Sequence, residues 1–162
     1  MIQFNIAVCD DDKSIQSFIE STVTAYAKDN GVMVNVDSFR SGEEICRSLD
    51  EGYVPDLLFL DIKMKHINGV KVGEYIRFKL KNNLVQIVYI SSYDEYVKQL
   101  FAIRPMNFLE KPLTEAMIVA QLKTAFELFD INNGTFSYAK NREVYKVPIK
   151  DILYFEGENR EV

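Results

Sequence analysis

Cysteine is scarce in this chain. Only Cys9 and Cys46 occur, with no C-x-x-C spacing, which excludes a disulfide framework and a cysteine-built zinc site. Both are expected to be buried, reduced thiols. No apolar run approaches the ~20 residues that span a bilayer, and the opening MIQFNIAVCDDD has neither a basic stretch nor a small-residue cleavage site. The expected location is therefore the cytoplasm, with no membrane partner. Basic charge is not in excess either: the formal net charge is −5, which argues against a broad cationic surface for nucleic acid. There is no internal repeat and no low-complexity tract. His66 is the single histidine, and its place in a charged loop reads as a solvated side chain.

What is present is an ordinary globular composition, 48% hydrophobic and 27% charged over 162 residues. That length suits one domain of roughly 100 to 150 residues plus a fragment. Short apolar runs alternate with helical periodicity. Phe4 to Cys9 reads as a strand, and Lys13 to Lys28 as a helix with Ile15, Phe18, Ile19, Val23 and Tyr26 on one face, capped by Asp12 or Ser14 and ended by Asn30-Gly31. Val32, Val34 and Val36 predict a second strand, Ser41 to about Leu49 a helix, and Leu57 to Leu60 a strand without polar alternation. A helix from Gly69 to about Leu80, a strand from Val85 to Ile90, a helix from Asp94 to about Phe101, a strand from Asn107 to Leu109 and a helix from Thr114 to about Phe129 complete five βα repeats. This alternation implies a parallel sheet covered by helices on both faces, with chemistry beyond the carboxyl ends of the strands.

After Asp130 the texture changes. Asn132-Asn133-Gly134 signals a turn or linker, followed by a strand, a turn, a strand and a third short strand around Ile152 to Phe155. Five basic residues there balance five acidic ones, so the net acidity lies before Gly134. About 29 residues cannot bury a core alone.

The strand ends carry the chemistry. The first leads into Asp10-Asp11-Asp12, the third into Asp61, the fourth into Ser91-Ser92 and the fifth into Lys111-Pro112. Crowded carboxylates raise one another's pKa unless a cation intervenes. A hard, oxygen-liganded ion such as Mg2+ suits that role. Asp12 is read as a helix cap rather than a ligand. A carboxylate beside Mg2+ can attack phosphorus, with the metal, the Lys111 ammonium and the Ser91 hydroxyl stabilising the developing charge.

The segments IAVCDDD, LLFLDIKMKHING, VYISSYDEY and NFLEKPL, in that order, resemble the receiver domain of two-component response regulators. The resemblance implies a flavodoxin-like α/β fold, a five-stranded parallel sheet of order 2-1-3-4-5 with helices on both faces, plus a short C-terminal β extension. It implies Asp61 as phosphoacceptor, Asp10, Asp11 and Asp61 with the Lys63 backbone carbonyl as Mg2+ ligands, and Ser91 and Lys111 as the residues that answer the phosphoryl group. Phe108 occupies the aromatic switch position, and Lys111-Pro112 the place of a cis peptide bond. Lys63 and Tyr93, each two residues beyond a site residue, are expected to border the phosphoryl group. Lys65 stands where the family usually has proline, so the loop is expected to be less rigid, and Phe108 replaces a commoner tyrosine.

The implied partners are a sensor histidine kinase and a second copy bound through the fourth helix, fifth strand and fifth helix. No separate substrate is turned over; Lys63 occupies the position where aspartate-based phosphohydrolases carry a second carboxylate. VPIKDILYFEGENREV is similar to the opening strands of LytTR-type DNA-binding domains. The expected organisation is thus a receiver over residues 1–130 and, over 131–162, a linker with the truncated first strands of a LytTR-type domain, DNA being contacted only through the complete output domain.

Overall fold

The computed structural model describes residues 3–92, 97–140 and 143–148. The chain divides into two compact units, Met1–Ala125 and Phe126–Val162. In chain order the first contains β1 (Phe4–Cys9), α1 (Lys13–Asn30), β2 (Val34–Phe39), α2 (Gly42–Asp50), β3 (Leu57–Asp61), α3 (Gly69–Glu74), β4 (Gln86–Ser91), α4 (Val97–Leu100), β5 (Asn107–Glu110) and the start of α5 (Glu115–Asn133). The five strands form one parallel sheet of order β2-β1-β3-β4-β5, the flavodoxin-like arrangement expected from the alternation.

β3 is buried along its whole length, Leu57 to Leu60 being inaccessible to solvent. That is why it lacks polar alternation: helices cover both faces of a parallel sheet. Tyr89 from β4 and Leu58 and Leu60 from β3 pack with Ile45, Val70, Val72, Ile76 and Ile103 in one cluster. Each such side chain contributes about 1.5–3 kcal/mol on burial.

Local signals set the boundaries. Asp12 caps α1, its carboxylate accepting from the Ser14 N–H at 2.8 Å. Gly31 ends α1 in the left-handed region (φ 64°), and the Val32 N–H returns to the Ala27 carbonyl at 2.9 Å. Val32 is consumed by that cap, so β2 begins at Val34 rather than at the first of the period-two valines. The helix expected from Gly69 to Leu80 is α only to Glu74 and widens to a π-helix over Tyr75–Lys79. The helix expected from Asp94 is described from Val97 and passes into a 3-10 turn at Phe101–Ile103. Cys9 is buried as expected, but Cys46 on α2 is only half-buried, packed against the edge of the cluster that its neighbour Ile45 enters.

In the second unit, β6 (Thr135–Lys140) and β7 (Glu143–Pro148) pair as an antiparallel hairpin, Thr135 opposite Pro148 and Lys140 opposite Glu143. The strand expected around Ile152 to Phe155 lies outside the described residues, as do Tyr93 and Tyr96. No helix among the described residues is long and apolar enough to cross a membrane.

Candidate functional site

Three strand ends and one loop build the site. β1 runs directly into Asp10, which is 1% exposed, and β3 ends on Asp61, 3% exposed. The neighbouring β4 ends on the buried Ser91, whose carbonyl accepts from the Lys111 N–H at 2.9 Å. Lys111, just past β5, reaches back: its ammonium donates to Asp10 Oδ2 at 3.0 Å and lies 3.0 Å from Asp61 Oδ1. The Lys111-Pro112 peptide is cis, as the resemblance implied.

Asp10 is held from several sides. Its carboxylate accepts from the Asp12 N–H at 2.8 Å, and the buried Gln16 amide donates to the Asp10 and Phe39 carbonyls at 2.7 and 2.8 Å. Asp11 is exposed beside it, and carboxylate oxygens of Asp10, Asp11 and Asp61 all lie within 4.8 Å of one another. Three hard oxygen donors so close suit a divalent cation that binds through few carboxylates and keeps waters. A cleft of about 350 Å3, lined by Asp11, Ile62, Lys63, Met64, Lys65 and Asn68, opens next to them.

The loop after Asp61 lacks proline yet is anchored. Met64 is buried, with the Cys9 thiol 3.6 Å from its sulfur; the Gly69 N–H donates to the Ile62 carbonyl at 3.0 Å; and Glu43 on α2 accepts from the Ile67 N–H at 3.3 Å. Lys63, Lys65 and His66 are exposed around these anchors, His66 with φ 60°. Phe108 on β5 is half-buried against the core. It borders an apolar groove of about 290 Å3 completed by Leu100, Phe101, Arg104, Pro105 and Asn107, with Phe101 75% exposed.

Burial and the neighbouring Asp10 charge raise the Asp61 pKa to about 6, against the pull of Lys111. Asp10 is raised too, chiefly by burial. Burial pulls Lys111 down, but its hydrogen bonds to Asp10 and Asp61 outweigh this and leave it raised. Burial and the Asp10 charge push the Cys9 thiol up, so it stays protonated.

The Asp61 shift has a testable sign. Between pH 3.8 and about 6 the folded chain holds a proton that the unfolded carboxyl releases, so this group's stabilising contribution is full below 3.8 and is lost as pH rises through 6. In metal-free buffer, Asp61→Asn is expected to gain stability over the native chain by about 3 kcal/mol more at neutral pH than at the acid end of that window. Denaturant midpoints of both chains across pH check this.

The structure brings Asp10, Asp11, Asp61 and Lys111 together as the strand-end reading expected, with Ser91 at the end of the adjoining strand. Sequence reasoning missed the anchors: Gln16 behind Asp10, Glu43 under Ile67 and Met64 beneath the loop. The glycines at 42 and 69 were the available signal, since a Cβ on Gly42 would lie 2.3 Å from the Ile67 carbonyl oxygen and one on Gly69 2.2 Å from that of Asp61.

The family profile of the response regulator receiver domain matches residues 6–123. The chain belongs to this family, and its first unit is the receiver domain of a two-component response regulator. Among curated relatives it is 26% identical to the sensory transduction protein LytT of Oceanobacillus iheyensis over 114 residues, covering 70% of this chain and 44% of that protein. It is 36% identical to LytT of Bacillus cereus over 69 residues, covering 43% of this chain and 27% of that one. The chain thus spans less than half the length of either.

Among solved structures, the response regulatory domain of MrkE from Klebsiella pneumoniae aligns with TM-score 0.69 at 19% identity, over 79% of this chain and 99% of that one. The response regulator TrrA of Thermotoga maritima, in complex with Mg2+ and beryllofluoride, aligns with TM-score 0.63 at 24% identity, over 75% of this chain and 98% of that one. These likenesses establish the fold.

Proposed function

We propose that Asp61 accepts a phosphoryl group from a sensor histidine kinase in the cytoplasm, and that the charge added there switches a dimerisation surface controlling transcription through a LytTR-type DNA-binding domain. The observation that carries this reading is a buried carboxylate at the end of a rigid strand, between a lysine and two further carboxylates within 4.8 Å. Asp10, Asp11, Asp61 and the Lys63 carbonyl would hold Mg2+, which neutralises charge on the transferring phosphoryl oxygens. The Mg2+ and beryllofluoride complex of the Thermotoga relative supports that assignment.

An Asp61 oxygen attacks phosphorus while the bond from phosphorus to the kinase histidine nitrogen breaks, the imidazole leaving with its electron pair and taking up a proton. Asp61 passes from about −1 to about −2 charge. The Lys111 ammonium stays on the new oxygens and the Ser91 hydroxyl turns to donate to one of them. Phe108 follows Ser91 inward and reshapes the surface of α4, β5 and α5, where two copies join. The apolar groove beside the exposed Phe101 suits such self-association. The similarity of VPIKDILYFEGENREV to LytTR-type strands, and the LytT relatives, support the DNA-binding output; DNA is contacted only through the complete output domain.

Beryllofluoride with Mg2+ tests the switch. The native chain is expected to shift towards dimer in light scattering and Asp61→Asn to stay unchanged. No shift in the native chain, or the same shift in Asp61→Asn, rejects the reading.

A further inference from the structure

Tyr89 is fully buried on β4, and its hydroxyl donates to the Gly69 carbonyl in the first turn of α3 at 3.2 Å. The ring tip fills space that a side chain on α3 would need: a Cβ on Gly73 would lie 2.0 Å from the Tyr89 oxygen and 3.0 Å from Ile103 Cγ2. A side chain that takes a helix carbonyl competes with the regular ladder, in which the Gly73 N–H is the donor to Gly69. Past Glu74 the helix widens to π form.

On that widened turn Arg77 is buried, 6% exposed, and its guanidinium donates to three carbonyls: Ile103 at 2.7 Å, Asn82 at 2.8 Å and Val85 at 2.7 Å. A planar fork satisfied by three carbonyls on two chain segments is a rigid tie that a lysine cannot reproduce. Ile103 closes the turn after α4, and the next residue, Arg104 (φ 54°), lines the groove shared with Phe108. At its other end α3 abuts the backbone of Asp61, through the Gly69 N–H to the Ile62 carbonyl and the close approach at Gly69. Counted together with its π continuation over Tyr75–Lys79, α3 is one element that touches the Asp61 backbone and holds Ile103.

We propose that Tyr89 and Arg77 make α3 a rigid connection from the Asp61 loop to the groove beside Phe108, a route separate from Ser91 and Phe108. Both are positioning residues, and the inference rests on the reading of Asp61 as phosphoacceptor. A displacement of the loop moves the first turn of α3; with Tyr89 clamping that turn and Arg77 clamping Ile103, the displacement reaches Arg104.

Backbone amide chemical shifts of the native chain and of Tyr89→Phe, followed as Mg2+ and beryllofluoride are added to saturation, test this. In the native chain Met64 and Ile67, in the loop, and Ile103 and Arg104, at the groove, are expected to respond together. In Tyr89→Phe the loop response is expected to persist while that at Ile103 and Arg104 falls by about twofold or more. Arg77→Lys, if it folds, is expected to behave alike. Tyr89→Phe decides, because it deletes one oxygen and leaves the ring in place. A native ratio of the two responses in Tyr89→Phe overturns the inference, since a purely structural defect alters both regions or neither. No response at either region of the native chain rejects the Asp61 reading and this inference with it.

Discussion

Lys111→Met is expected to lose about 3 kcal/mol of stability at neutral pH in metal-free buffer, most of which returns on acidification. The Lys111 ammonium lies 3.0 Å from both Asp10 and Asp61, whose side chains are 1% and 4% exposed, and no other cation among the described ion pairs serves them. Removing it leaves two buried carboxylates facing each other without that cation, Asp10 keeping its hydrogen bond from the Asp12 N–H. In metal-free buffer the repulsion is relieved when one is protonated, and Asp61, already raised to about 6 with the lysine present, is the one to do so. Mg2+ is expected to recover part of the loss, and Asp61→Asn combined with Lys111→Met nearly all of it, because each removes the repulsion. Denaturant melts of the native chain, Lys111→Met, Asp61→Asn and the double variant at two pH values, with and without Mg2+, check the scheme. A Lys111→Met chain as stable as the native one at neutral pH would show that the ammonium does not hold the pair. For the proposed switch, the same change is expected to weaken the beryllofluoride response about 100-fold, since a charge-assisted partner of the new oxygens is gone.

Gly69→Ala is expected to cost at least about 3 kcal/mol and to displace Asp61. The Cβ would lie 2.2 Å from the Asp61 carbonyl oxygen and 3.0 Å from the Asp61 carbonyl carbon and Ile62 Cα. Backbone cannot swing aside as a flexible side chain can, so either α3 lifts from β3 or the end of β3 shifts. Gly31→Ala is the control: Gly31 has φ 64° and open space around its missing Cβ, so only backbone conformation is penalised, by about 1 kcal/mol. Thermal melts compare the two, and equal losses would remove the steric account.

The strand-end residues were legible because each follows an apolar run that could only be a buried strand. Leu57 to Leu60 has no polar side chain to place on a solvent face, so Asp61 had to emerge at the strand's carboxyl end, and a parallel sheet collects all such ends on one edge. The N-cap at Asp12 and the left-handed stop at Gly31 were legible for local reasons, since capping depends on residues within one turn. The site's supports were not. Gln16 reads as one polar position on an amphipathic helix, and Glu43 as one acidic residue in a first turn. Their partners, the Asp10 carbonyl and the Ile67 N–H, lie on other elements.

The same division holds for α3. Its sequence predicts one helix to about Leu80 and does not single out Arg77, because helical periodicity registers only contacts within the helix. The π turn and the burial of Arg77 against Ile103, Asn82 and Val85 accompany a tyrosine from β4 seated at Gly73. The sequence by itself determined the order of strands and helices, the buried central strand and the acidic and basic groups at the strand ends, since periodicity, capping and charge act over a few residues. Only the tertiary structure decided that Lys111 bridges Asp10 and Asp61, that Met64 and Glu43 anchor the loop, and that Tyr89 and Arg77 tie α3 at both ends. Those interactions join atoms far apart along the chain, and packing alone brings them within reach.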